Sequence, residues 1–135
     1  MSLNLTAAVL ADLIAHARQE APVEACGYIG ERKDVASRNI RMTNADASPE
    51  HFTLVPAEQF AAVKALRADG FTLRAVYHSH PESPARLSEE DKRLLRDPNL
   101  SYVIVSLAGA EPVVKSFRIG AQAGEEKILV AQEEV

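Results

Sequence analysis

The chain has one cysteine, Cys26, which excludes an intramolecular disulfide and any Cys-rich metal cluster. It has no block of Lys or Arg. Its 15 basic residues are outweighed by 19 acidic ones, for a formal net charge of −4, and such a balance lacks the electrostatic footprint of a nucleic-acid binder. No apolar run approaches the roughly 20 residues that span a bilayer, so no membrane anchor is expected. The opening MSLNLTAAVLADLIAHARQE carries no early Lys or Arg and is interrupted by Asp12 and His16, which reads as a helix face and not a secretory leader. With the lone thiol, this points to a reducing cytoplasm. Repeats, low-complexity stretches and linker composition are also missing. What remains is an ordinary globular composition over 135 residues, enough for one core and not two, so a single domain over 1–135 is expected.

Residues 6–19 set Val9, Leu10, Leu13, Ile14 and Ala17 at helical spacing, with Thr6 as N-cap and Ala21-Pro22 as the stop. CGYIGER (26–32) reads as a strand, followed by a turn at Lys33-Asp34 and a second strand over 35–42. Residues 43–51 hold no apolar pattern and read as a loop. PAEQFAAVKALRADG reads as a helix with Pro56 in its first turn, a stripe of Phe60, Val63 and Leu66, and Gly70 as its end. FTLRAVYHSH (71–80) alternates as a strand, and 88–96 reads as a short helix opened by Ser88. SYVIVSLAG, EPVVKSFRI and EKILVAQ supply three more strand candidates. The order predicts an α/β domain with one mixed, mainly antiparallel sheet flanked by helices.

The chemistry concentrates in HSHPESPARLSEED, residues 78–91. Strand side chains alternate, so His78 and His80 project from the same face. Pro81 ends the strand, and the following loop is long enough to bring Asp91, in the first turn of the next helix, back beside the two imidazoles. Two imidazole nitrogens and a carboxylate oxygen suit Zn²⁺, and three protein ligands leave a fourth tetrahedral position for water. Ser88 and Asp91 also form an S-x-x-D capping arrangement, which needs no metal and is compatible with one. Cys26 reads as a small buried hydrophobe, with a nucleophilic thiol paired to His78 as the alternative. His16 and His51 read as structural or solvated, Tyr77 and Tyr102 as strand packing, and Glu82 and Ser83 as rim residues.

The segment resembles the H-x-H-P-x6-S-x-x-D signature of the JAMM (MPN+) zinc metallopeptidases. That family carries a catalytic glutamate upstream, commonly just before a Cys-Gly strand start, and PVEACGYIG supplies Glu24 in that place, 54 residues before His78. Spacing alone leaves Glu31, Glu82, Glu89 and Glu90 as competitors. The resemblance implies a cytidine-deaminase-like α/β fold in which His78, His80 and Asp91 bind zinc. It further implies that Glu24 holds the attacking water as general base and that Ser88 donates to the oxyanion. The zinc deaminases themselves use H-x-E and P-C-x-x-C, and neither pattern occurs here. The family's protein substrates are ubiquitin or ubiquitin-like sulfur carriers with Gly-Gly tails, and an extended tail of that kind can add beside a sheet edge. Only 53 residues separate Glu24 from His78 and 44 follow Asp91, which resembles the compact prokaryotic type. Because the wider MPN fold includes members without metal ligands, a catalytically silent binding module is the other class to be tested.

Overall fold

A computed structural model describes residues 2–120 and 123–131. The elements run β1 (Ser2–Thr6), α1 (Ala7–Glu20), β2 (Cys26–Arg32), β3 (Val35–Met42), α2 (Pro56–Ala68), β4 (Thr72–His80), α3 (Glu89–Leu94), β5 (Ser101–Ser106), β6 (Val113–Arg118) and β7 (Gly124–Ala131). Gln132, which closes the predicted EKILVAQ strand, lies outside the described residues. Thr6 caps α1 as expected, its side chain accepting from the Val9 amide. The strand before it was not expected. Leu3 and Leu5 of β1 alternate inward at 1% and 0% exposure, a period-2 signal merged in the sequence with the helix that follows.

The strands form a mixed α/β sheet, antiparallel at four pairings and parallel at β1–β3, β1–β7 and β4–β5. Beyond that expectation, the sheet closes on itself in the order β1-β3-β2-β4-β5-β6-β7. β1 closes the ring by pairing with both β3 and β7, although it meets β3 only at Leu5↔Ala36, and β6 meets β7 only from Ser116 to Arg118.

Two cores lie on opposite faces. On one, Val9, Leu13 and Ala17 of α1 pack against Ile29, Ala75, Tyr77 and Val103. On the other, Ala62 of α2 joins Cys26, Tyr28, Val76 and Tyr102. The stripe expected on α2 is corrected at one end: Leu66 is buried but Phe60 is 73% exposed. An i, i+3, i+6 series drifts about 60° around a helix at each step, so its first member leaves the buried face. Gln59 faces inward instead and donates to the Tyr28 hydroxyl at 2.9 Å. α3 is shorter than the expected 88–96, with Ser88 as its cap and Leu95 just past its end. Gly27 marks a close approach, since a Cβ there would lie 2.3 Å from the Ile40 carbonyl oxygen and 2.5 Å from the Tyr77 ring. That gap lets Tyr77 reach His16 Nδ1 at 2.8 Å, which makes His16 a buried structural partner, as expected.

Candidate metal centre and active site

β4 delivers His78 and His80 at its C-terminal end, both buried, on the face toward α2. Asp91 reaches them from α3. Its carboxylate Oδ2 accepts from the Ser88 amide at 3.0 Å while Ser88 Oγ accepts from the Asp91 amide at 3.0 Å, a reciprocal capping box that fixes the side chain. The same Oδ2 lies 3.2 Å from His78 Nε2 and 3.2 Å from His80 Nε2, and the two nitrogens are 3.1 Å apart. Three donor atoms thus form a near-equilateral triangle. A tetrahedral zinc with bonds near 2.0–2.1 Å needs ligand atoms about 3.3 Å apart, so the donor set fits such an ion with little adjustment.

The surroundings prepare these atoms. His80 Nδ1 donates to the Pro84 carbonyl at 2.8 Å, so in the neutral ring the Nε2 carries the lone pair, turned to the triangle. The His78 ring stacks on Phe52 at 4.7 Å between centroids. Burial lowers the pKa of His78 against the pull of Asp91, favouring neutral imidazole. Burial also raises that of Asp91, but hydrogen bonds from His78, His80 and the Ser88 amide outweigh it and hold the carboxylate ionised. At His80, burial acts downward, and the hydrogen bonds to Asp91 and Pro84 turn the balance upward. The cluster draws positive charge into the gap between its three atoms.

Glu24 precedes β2, and the β2–β4 ladder decides where it points. Cys26 pairs with His78, and beyond that pair Ser79 N donates to Ala25 O at 2.9 Å while Ala25 N donates to Ser79 Oγ at 2.7 Å. One step further, the same register brings Glu24 across from His80, and alternation puts it on the histidine face. Glu24 is 3% exposed, and its Oε1 has no hydrogen-bond partner among the described residues. Burial pushes its pKa up to about 8, with His80 acting downward and Asp91, Glu90 and Glu50 upward. Of the competing glutamates, Glu31 pairs with Arg74 and Glu89 with Lys92, while Glu82 is exposed.

Several contributors carried no signal in the sequence. Asn44 Nδ2 donates to the carbonyls of Glu24 at 3.1 Å and His51 at 3.0 Å, while its Oδ1 accepts from the amides of Asp46 and Thr53. It thereby holds the loop read as patternless against Glu24. Phe52 and the Pro84 carbonyl belong to the same class. Ser83 lines the cleft beside His80 and Ser88, as expected of the rim. Cys26 is fully buried, and burial pushes its thiol up to about 12, which is the opposite of what a nucleophile needs.

The family of prokaryotic homologs of the JAB domain matches residues 6–120. The CysO-cysteine peptidase of Mycobacterium tuberculosis is 38% identical over 96 residues, covering 70% of this chain and 66% of its own length. The chain thus spans just under two-thirds of that relative. A probable TtuB-protein conjugate cleaving protease of Thermus thermophilus is 36% identical over 123 residues, or 90% of this chain and 78% of that protein. A solution structure of a protein from Desulfitobacterium hafniense is 46% identical and superimposes with a TM-score of 0.87, covering 98% of this chain and 94% of its own. The chain belongs to the prokaryotic JAB-domain family, the compact branch of the JAMM proteins.

Proposed function

We propose that the protein is a zinc-dependent peptidase or isopeptidase, a single JAMM/MPN domain over residues 1–135 acting in the cytoplasm. Its substrate is a bond at the C-terminal Gly-Gly tail of a ubiquitin-like or sulfur-carrier protein. The observation that carries this reading is the triangle of His78 Nε2, His80 Nε2 and Asp91 Oδ2, with edges of 3.1–3.2 Å, facing a buried acid. Relatives named for a CysO–cysteine bond and for TtuB–protein conjugates support a carrier tail as substrate.

His78, His80 and Asp91 would hold the zinc, which when bound polarises the scissile carbonyl and lowers the pKa of a water toward neutrality. Glu24, buried beside the ligands and favoured as carboxylate by a nearby cation, accepts a proton from the attacking water and returns it to the departing nitrogen. Ser88 Oγ uses a lone pair to accept from the Asp91 amide, so its own proton stays available for the carbonyl oxygen as charge develops there. The apolar wall formed by Phe52 on His78 keeps the histidine's geometry fixed.

A silent binding module has no need of three converging ligands and an unpaired buried acid together. A thiol hydrolase needs an accessible thiolate, and Cys26 offers neither access nor charge. The test is incubation of the zinc-loaded protein with Gly-Gly carriers bearing C-terminal extensions, followed by intact-mass spectrometry. Trimming that stops with chelator is expected. His78→Ala, His80→Ala and Asp91→Ala should lose zinc by elemental analysis, whereas Glu24→Ala should keep zinc and lose turnover. No metal-dependent trimming of any carrier, or full turnover by Glu24→Ala, overturns the reading.

A further inference from the structure

A cleft of about 400 Å³ is lined by His80, Ser83 and Ser88 of the candidate site together with Glu89, Arg86, Leu87 and Lys92. Those last three residues also line a second groove of about 830 Å³, so the two spaces abut across them. The second groove carries five cations, Arg86, Lys92, Arg93, Arg96 and Arg118, on a chain whose net charge is −4. Its apolar lining includes Leu87, Leu95, Phe117 and Ile119. Among the described residues two carboxylates border it, Glu89 and Glu125, and these pair with Lys92 and with Lys115 outside the groove. Among the described residues, Arg86, Arg93 and Arg96 have no carboxylate partner, and Arg118 Nε is buried without a hydrogen-bond acceptor. An acidic protein that gathers unpaired guanidinium groups among apolar side chains, beside its candidate site, has a surface complementary to a partner of opposite sign.

Resting on the proposed reaction, we infer that this groove docks the folded body of the substrate protein through an acidic face with an apolar centre, while the narrower cleft passes the tail to the site. Size supports that division. The groove on the other side of Asp91, between α2 and α3, is about 310 Å³, and its lining includes Phe52, Leu54 and Leu94 but no Lys or Arg. The mixed apolar and cationic lining favours a protein face over a nucleic-acid backbone, which needs phosphate contacts along a continuous basic track.

The test uses the full chain, stripped of metal so that binding is read without turnover. Probes are ubiquitin-fold proteins with Gly-Gly tails, one set with acidic and one with basic surfaces, and a single-stranded RNA oligonucleotide of mixed sequence. The acidic set should bind best, and binding should weaken as salt rises. The double variant Arg93→Glu, Arg96→Glu should weaken it at least about tenfold. The Arg93→Gln, Arg96→Gln pair should lie between, with circular dichroism confirming the fold of both. Equal binding of basic probes, tighter binding of RNA, or unchanged affinity in the reversed variant overturns the inference. Cleavage separates this from the reaction itself. If the reversed variant, zinc-loaded, trims carriers with unchanged KM, the groove fails and the hydrolase stands; if acidic carriers bind as expected and none is cut, the hydrolase fails and the groove stands.

Discussion

Replacing Glu24 by Gln should stabilise the metal-free protein, and by an amount that grows with pH. Burial raises the folded pKa of Glu24 to about 8 from an ordinary 4.5. Between those values the folded chain holds a proton that the unfolded chain has released. Stability therefore falls with rising pH, by about 1.4 kcal/mol per unit from this group alone. Below pH 4.5 both states are protonated and the group contributes nothing; the loss accumulates through the window and levels off above 8. From pH 5 to pH 8 the sum is about 3.5 kcal/mol, a large share of the 5–15 kcal/mol typical of a domain. Gln has nearly the shape of the protonated acid and does not titrate, so the difference between the two proteins isolates the term.

Thermal unfolding in the presence of a chelator, in matched buffers at pH 5 and pH 8, reads it directly. The Tm advantage of Glu24→Gln should be small at pH 5 and roughly 10 °C at pH 8. Titrating groups that do not interact with Glu24 cancel in the comparison. Adding zinc should shrink the advantage, because a nearby cation favours the carboxylate. A pH-independent difference, or a Gln variant less stable at pH 8, would refute the claim that this acid is buried without compensation.

Two further outcomes follow from the same geometry. With its pKa near 12, Cys26 is thiolate in only about one molecule in ten thousand at pH 8, so iodoacetamide should leave the folded protein unmodified by mass spectrometry. Cys26→Ala should retain cleavage, and activity lost in parallel with alkylation would revive a thiol mechanism. Ser79→Ala removes the acceptor of the buried Ala25 amide and should cost about 1–3 kcal/mol in denaturant unfolding. Because that bond anchors the segment leading to Glu24, kcat should fall while zinc content holds, with Ser79→Thr restoring both stability and kcat.

Local elements were legible where the residues themselves set the boundary. β2 and β3 span the residues read from CGYIGER and from the stretch after Lys33-Asp34, because glycines and charges end the apolar pattern on either side. Closure of the sheet was not legible, since it depends on β1 finding β3 and β7 far along the chain. The histidine pair could be read from alternation alone. Which of the five glutamates lies beside the histidines could not, because the Cys26↔His78 register, a contact between distant strands, decides it. Phe52, Asn44 and Pro84 act through a loop and a backbone carbonyl whose paths no local pattern encodes.

Ser88 and Asp91 show why a structural and a chemical reading of one motif need not compete. α3 is only six residues long, too short to hold itself together by propagation of its own hydrogen bonds. Its first turn is fixed by the reciprocal cap, which contributes about 1 kcal/mol in typical helices. The amide of Ser88 takes one lone pair of Asp91 Oδ2 and so orients the atom that meets His78 and His80. The carboxylate can serve both because each oxygen has two lone pairs. The cap thus supplies what a ligand needs most, a single side-chain geometry fixed before any ion arrives, and the helix in turn gains order when an ion binds.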